Sequence, residues 1–387
     1  MLTVLHLVQP VDGGVAQVVT DLVRAQTGGG MRAVVACPPG GGLGKSAAAA
    51  GARVRLWLAE RGAGPNLPWE IACAARIARR DRPDVVHLHS AKAGLAGRLA
   101  LRGRLPTVFQ PHAWSFEAAN GPVAQLALRW ERFATQWADR VLCVSEAERL
   151  RGRAAGLDAR WEVIANGVDL ERFPVADGVA RRQARAALAT VHALPQRAPL
   201  VVCAGRLCPQ KGQDVLLRAW PSVAARVPGA RLALVGDGPD RAALRSAAGP
   251  GVLFAGHTDE IRPWYAAADV VVLPSRWEAM ALAPLEAMAV GRPVVLTDVG
   301  GARESLPPGQ APYCLVPPGD PAALAHALTA LLAEPARRRA LGRQAAQHTR
   351  GSHDVRRTAA AYARLYRRLV DGEPGEPAPE ARELSRP

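Results

Sequence analysis

Short β-branched runs alternate along the chain with longer Ala/Leu/Arg segments of helical period, the pattern of parallel strands covered by helices. In the first half these runs predict strands at Thr3–Val8, Arg32–Ala36, Arg53–Trp57, Val85–His89, Thr107–Gln110, Arg140–Val144 and Trp161–Ile164. After Asn166 the segment ERFPVADG reads as a connector, and the rhythm restarts at Pro199–Cys203, Arg231–Val235, Val252–Ala255, Val270–Pro274, Pro293–Thr297 and Tyr313–Val316. Two doubly wound α/β halves follow. Between Val355 and Val370, the residues Ala359, Tyr362, Leu365, Tyr366 and Leu369 recur at helical spacing, so a last helix is expected to bury that face. Residues 371–387, rich in Pro and Glu, offer almost nothing to bury and are expected to be disordered.

Length agrees with the pattern, since 387 residues exceed the roughly 250–300 at which one core stops growing. The expected division is a Rossmann-like domain over 1–172 completed by the helix 355–370, a linker over 173–190, and a second Rossmann-like domain over 191–354. The formal net charge of +15 would point to a polyanionic partner, but the 49 basic residues are 46 Arg and only three Lys, spread along the chain. The compositional bias of a GC-rich genome is the preferred reading, with a basic face for phosphates or lipid headgroups as the rival. Six cysteines lie mostly within apolar runs, without C-x-x-C or zinc spacing, and read as reduced core residues of a cytosolic protein. The opening MLTVLHLVQP lacks a basic n-region and reads as a first strand, not a signal peptide. No apolar run is long enough to predict a transmembrane helix.

Several loops carry candidate chemistry. Gly13 and Gly14 lie between the first strand and a helix, where the backbone can approach a ligand and helix amides can meet an anion. Pro39–Ser46 (PGGGLGKS) imitates a nucleotide-binding P-loop, but Pro39 stands where the first Gly is required, and a flexible Gly-rich loop is the preferred reading. Arg206 and Lys211 sit on a glycine-containing loop directly after a strand, two cations that can converge on one diphosphate and stabilise it as a leaving group. Glu278 and Glu286 lie eight positions apart, one in a loop and one in the first turns of a helix. The second suits paired ribose hydroxyls, the first a sugar. Thr297–Glu304 (TDVGGARE) again offers glycines before a helix, a place for a phosphate or an acceptor group.

Together these residues resemble the retaining nucleotide-sugar glycosyltransferases of family 4, with the GT-B architecture of two Rossmann-like doubly wound domains facing a central crevice. The resemblance rests on G-R-L-x-x-x-K-G at 205–212, V-G-D-G-P at 235–239, I-x-N-G-V-D at 164–169 and the pair Glu278 and Glu286 followed by L-E-A-M-A. The first half adds G-G-V-A at 13–16, D-V-V-H-L-H-S at 84–90 and V-S-E at 144–146, so about residues 1–370 are covered. It implies an N-terminal acceptor domain and a C-terminal domain for a UDP- or GDP-sugar. Arg206 and Lys211 match the family's donor diphosphate contacts, Glu286 its ribose ligand, Glu278 its contact to the transferred sugar, and His112 its active-site histidine. His257 and Thr258 fall where such proteins hold the base, and Ala281 and Leu282 begin the helix of the second glutamate; Gly13 and Gly14 join the donor set. Ala279, Met280 and Ala281 depart from the Gly and aromatic pattern of many relatives, which points to an altered sugar pocket. The resemblance implies retention by front-face attack with no metal and no cofactor, and the sequence shows no D-x-D loop.

For the acceptor, H-S-x-K-A-G at 89–94 is similar to a stretch in members that extend polyprenyl-diphosphate-linked sugars for exopolysaccharide. Lys92, with Gly14, is the candidate acceptor contact, against a solvated lysine as the plainer reading. Leu126, Trp130, Phe133 and Trp137 form a stripe near Arg129, Arg132 and Arg140, read as interior to the first domain rather than as a membrane-docking face. The expected activity is hexosyl or N-acetylhexosaminyl transfer to a cell-surface polysaccharide or lipid-linked glycan, by a cytoplasmic or peripheral membrane protein. A nucleotide-sugar binding protein without turnover, a P-loop-like NTPase and a nucleic-acid binder are the rivals.

Overall fold

The computed structural model describes residues 1–62, 64–117 and 119–372. The segment expected to be disordered lies, but for Asp371 and Gly372, outside the described residues. Two compact units divide the chain, the first formed by 1–164 with the segment from Ala359 onward, the second by Ala165–Thr358.

The first unit is a seven-stranded parallel sheet in the order β3-β2-β1-β4-β5-β6-β7. Its strands are β1 (Thr3–Val8), β2 (Arg32–Cys37), β3 (Arg53–Leu56), β4 (Val85–His89), β5 (Thr107–Gln110), β6 (Arg140–Cys143) and β7 (Trp161–Val163). The second unit is a six-stranded parallel sheet in the order β10-β9-β8-β11-β12-β13. Those strands are β8 (Leu200–Ala204), β9 (Arg231–Val235), β10 (Val252–Gly256), β11 (Val270–Leu273), β12 (Val294–Thr297) and β13 (Leu315–Val316). Central strands such as β1, β4, β8 and β11 are buried along their whole length. Helices on both faces of a parallel sheet demand that, and it is why these strands read as continuous apolar runs. No helix among the described residues is long and apolar enough to cross a membrane.

In each sheet the strand order reverses once, between β1 and β4 in the first unit and between β8 and β11 in the second. At such a reversal the loops leaving the two adjacent strands run in opposite directions and open a crevice beyond their carboxyl ends, which is where doubly wound sheets bind ligands. The loops so placed are Gly13–Gly14 after β1, Arg206–Lys211 after β8 and Glu278 after β11.

Part of the expected linker is ordered helix. Asp177 caps the helix Gly178–His192 by accepting from the Ala180 amide, and Arg185 from that helix pairs with buried Asp269 at 2.8 Å. It therefore belongs to the second unit. The last helix, Val355–Asp371, buries Ala359, Tyr362, Leu365 and Tyr366 as its spacing predicts, but the first unit claims it only from Ala359 onward. The expected interior stripe is exposed in part. In the helix Gly121–Ala134 only Glu131 and Ala134 are buried, while Leu126 and Phe133 face solvent and Trp130 and Trp137 are half-buried. Arg98 takes the interior place, stacking on Phe109 at 3.8 Å and pairing with Glu131 at 2.7 Å.

Candidate active site

In the second unit two loops meet across the reversal. Gly205 follows β8 directly and Lys211 closes the turn Pro209–Lys211, after which Gly212 at φ 65° starts the helix Gln213–Arg226. The Arg276 amide donates to the Gln210 carbonyl at 2.8 Å, and the Gln210 side chain donates to the Trp277 carbonyl at 3.1 Å, so the β8 and β11 loops are tied together. Lys211 forms an ion pair with Glu278, whose Oε1 also accepts from Ser275 Oγ at 2.8 Å. Arg206 is exposed and has no ion-pair partner among the described residues. Glu286 accepts from the buried Tyr265 hydroxyl at 3.1 Å. Ala281 precedes the helix Leu282–Ala289 and gives that helix its N-terminal cap position. A small pocket lined by Ser275, Glu278, Ala281, Pro284, Thr297 and Ala302 lies beside this helix start.

Close approach of backbones explains the glycine motifs. A Cβ on Gly236 would come within 2.1 Å of the Gly205 carbonyl oxygen, and one on Gly238 within 2.2 Å of that of Leu207, so V-G-D-G-P is the seat of the Arg206 loop. Gly300 does the same for the Glu278 carbonyl at 1.8 Å, while Gly301 donates its amide to Ala279. These glycines brace the loop of the first glutamate. The helix after them, Ala302–Ser305, is a single turn, too short for the anion site expected there. Asn166 of I-x-N-G-V-D donates to the Met280 carbonyl at 2.8 Å and ties down the same loop. Gly212→Ala combines positive φ with a Cβ only 2.0 Å from the Pro274 carbonyl oxygen. Its expected outcome is donor binding weakened about tenfold or more, roughly the 1.4 kcal/mol that such backbone strain costs, with an unchanged far-ultraviolet circular dichroism spectrum. Isothermal calorimetry checks it.

His257 is exposed and lies 3.3 Å from Asp259, and the Thr258 hydroxyl donates to the Glu260 carbonyl at 3.0 Å, so both stand in the loop leaving β10.

In the first unit Gly13, at φ 79°, caps the helix Gly14–Gly28, and a Cβ on either glycine would meet nothing within 4 Å. The P-loop imitation is closed by the chain itself, because Asp12 accepts from the Gly42 amide at 2.7 Å and takes the place an anion would need. His112 stands at φ 54° and Ala113 at φ 91°, two strained residues in succession. Glu148 holds them, accepting from the Ala113 amide and from the Val144 amide, each at 2.8 Å. The sequence signal for Glu148 is S-x-x-E at 145–148, a capping-box pattern realised as Ser145 Oγ accepting from the Glu148 amide.

Lys92 overturns the acceptor expectation. Its side chain is buried, paired with buried Glu70, and donates to the Gly62 carbonyl at 2.7 Å. A lysine neutralised in this way does not meet an acceptor phosphate. The neighbouring Gly94 is there for packing, since a Cβ would lie 2.3 Å from the Phe109 ring.

The family model described as Glycosyltransferase Family 4 matches residues 12–172, and that described as Glycosyl transferases group 1 matches residues 198–334. D-inositol 3-phosphate glycosyltransferase 1 of Catenulispora acidiphila is 33% identical over 348 residues, 82% of this chain and 80% of its own length. The GDP-mannose-dependent alpha-(1-6)-phosphatidylinositol monomannoside mannosyltransferase of Mycolicibacterium smegmatis is 38% identical over 272 residues, 65% of this chain and 68% of its own. Among solved structures, Anabaena HepE in complex with UDP and glucose superposes with a TM-score of 0.81 at 23% identity, covering 94% of this chain and 99% of that one. The fold is therefore GT-B, two Rossmann-like α/β domains. The chain belongs to glycosyltransferase family 4 and is a glycosyltransferase.

Proposed function

We propose that the protein transfers a hexose or N-acetylhexosamine, with retention, from a UDP- or GDP-sugar to a lipid-linked or cell-surface glycan acceptor. The observation that carries this reading is the pairing of loops across the β8/β11 reversal, which sets Lys211 against Glu278 with Arg206 on the same loop as Lys211. Breaking a sugar–diphosphate bond builds negative charge on the departing phosphate. Two cations carried on one braced loop, Lys211 of them held by Glu278, stabilise that charge. Lys211 and Arg206 take this role without a metal, Glu278 holds the transferred sugar, Glu286 holds the ribose hydroxyls, and the loop of His257 and Thr258 holds the base. Gly13, Gly14 and the Ala281–Leu282 helix start complete the donor set, and His112 touches the donor sugar. The relatives named above, one using GDP-mannose and one acting on D-inositol 3-phosphate, support a nucleotide-sugar donor and an alcohol acceptor. With Lys92 withdrawn, the acceptor set is Gly14.

The test is a binding and slow-hydrolysis screen of UDP-, GDP-, ADP- and TDP-sugars with and without a chelator. One donor bound and hydrolysed in both conditions is the expected result; no donor bound, or loss on chelation, overturns the reading. Glu286→Ala is expected to weaken binding of that donor about 10- to 100-fold, the worth of hydrogen bonds to a charged group. Unchanged affinity by calorimetry would remove Glu286 from the site.

A further inference from the structure

Three histidines lie in the middle of the first sheet, His6 on β1 and His87 and His89 on β4, all fully buried. The register of β1 on β4 sets His6 opposite His87 and Val8 opposite His89. The ring nitrogens of His6 and His89 form a single file that ends at His112. Gln26 Oε1 lies 2.9 Å from His6 Nε2, His6 Nδ1 lies 3.0 Å from His89 Nε2, and His89 Nδ1 lies 3.1 Å from His112 Nε2. His87 stands beside the file, bonded through Nδ1 to the Tyr366 hydroxyl at 2.7 Å.

A neutral imidazole has one donor and one acceptor nitrogen, so the choice made at one end of such a file passes to the other. The Gln26 carbonyl accepts and makes His6 Nε2 the donor, leaving His6 Nδ1 to accept from His89 Nε2–H. His89 Nδ1 in turn accepts from His112 Nε2–H. We propose that Gln26, His6 and His89 are positioning residues that lock His112 in its Nε2–H tautomer, so that it presents a bare Nδ1 to the sugar hydroxyl it contacts. Nδ1 of His112 has no hydrogen-bond partner among the described residues. A tautomer locked this way accepts from a substrate hydroxyl and cannot donate to one, which fixes the direction of that hydrogen bond and thus the hydroxyl's orientation.

A lock fits better than a proton relay, because the inner end of the file is an amide that neither stores nor releases a proton. It also fits better than a metal centre. His6, His87 and His89 offer ring nitrogens within 4.8 Å of one another, but His6 Nδ1 and His89 Nε2 already share a proton, and no carboxylate among the described residues joins them to balance a cation. The tautomer itself is independent of the proposed function; its catalytic consequence rests on the reading of His112 as a donor-sugar contact.

The test uses the full chain labelled with 15N in its imidazoles, read by two-bond proton–nitrogen correlation between pH 6 and 8, with His112 assigned by the loss of its signals in His112→Asn. The Nε2–H pattern at His112 is expected; the Nδ1–H pattern overturns the lock on the wild-type protein alone, whether or not any variant folds. Gln26→Met removes the first acceptor and is expected to give mixed tautomers at His112. It should also lower donor turnover about three- to tenfold, the worth of one hydrogen bond, with donor affinity unchanged. Gln26→Glu, which keeps an acceptor oxygen, is expected to restore both. An unchanged tautomer in Gln26→Met overturns the lock. A changed tautomer with full turnover overturns the role of His112 and leaves the lock standing. Stoichiometric zinc chloride shifting the His6, His87 and His89 signals together would overturn it in favour of a metal site.

Discussion

Lys211→Ala is expected to lower sugar transfer about 10²- to 10³-fold, the usual cost of removing one preorganised group aimed at developing charge. The loss should fall on kcat more than on donor affinity, because negative charge on the diphosphate grows as the glycosidic bond breaks and the cation meets more of it in the transition state than in the bound donor. The substitution acts through a second route as well. Without its partner Glu278 keeps the Ser275 hydrogen bond at 2.8 Å but faces the site as an unpaired carboxylate, with only 12% of its side chain exposed. Incoming phosphate would then meet repulsion where it now meets a cation. Comparing Lys211→Ala/Glu278→Gln with Glu278→Gln alone separates the routes, since both variants lack the repelling carboxylate and share any loss of sugar contact, so the difference between them belongs to leaving-group stabilisation. Arg206→Ala removes the other cation of the clamp and leaves no carboxylate unpaired, because Arg206 is exposed and has no ion-pair partner among the described residues, so its loss of transfer reports leaving-group stabilisation without the repulsion. Transfer by Lys211→Ala within threefold of the wild type would dismiss the clamp.

The strands were legible because both sheets are parallel and covered on two faces, so each central strand is a short uninterrupted apolar run with a loop at either end. What was not legible shares one cause, dependence on partners far away in the sequence. Lys92 reads as a helix-start lysine, and nothing near it shows that Glu70 from another helix lies against it in the core. The helix Gly178–His192 reads in part as a linker because Arg185, one of its three buried residues, looks solvent-bound until Asp269 is placed beside it at 2.8 Å. The histidine file is a similar case. V-H-L-H places two imidazoles on one face of β4 by strand alternation, a signal present in the sequence. That they meet His6 depends on β1 lying next to β4, a matter of topology. Among the site residues, the loops after β8 and β11 could be read early because their glycines and charges lie within a few positions of the strand ends, where the fold must place a ligand site.

The same histidines predict early acid unfolding of the first unit. Burial pulls His6 down to about 4 and His112 to about 3, and with neighbouring imidazoles it holds His87 and His89 well below the ordinary value. In the unfolded chain all four titrate near 6.5, so below that pH the unfolded state binds protons that the native state refuses. Native stability is therefore full above 6.5 and falls as pH drops from 6.5 toward about 3, each ring adding a slope of about 1.4 kcal/mol per pH unit. Depressed carboxylates such as Asp81 and Asp269 add nothing to this loss until the pH nears 4, because their unfolded counterparts remain ionised above it. Four rings at pH 5 amount to several kcal/mol against a usual domain stability of about 5–15 kcal/mol. Denaturant midpoints followed by tryptophan fluorescence between pH 7.5 and 4.5 check this, since six of the nine tryptophans lie in the first unit. His87→Phe removes the one ring outside the file, whose Nε2 has no hydrogen-bond partner, and should reduce the slope by about one proton's worth. A midpoint that stays level from pH 7.5 to 5 would mean that these rings are not held neutral in the core.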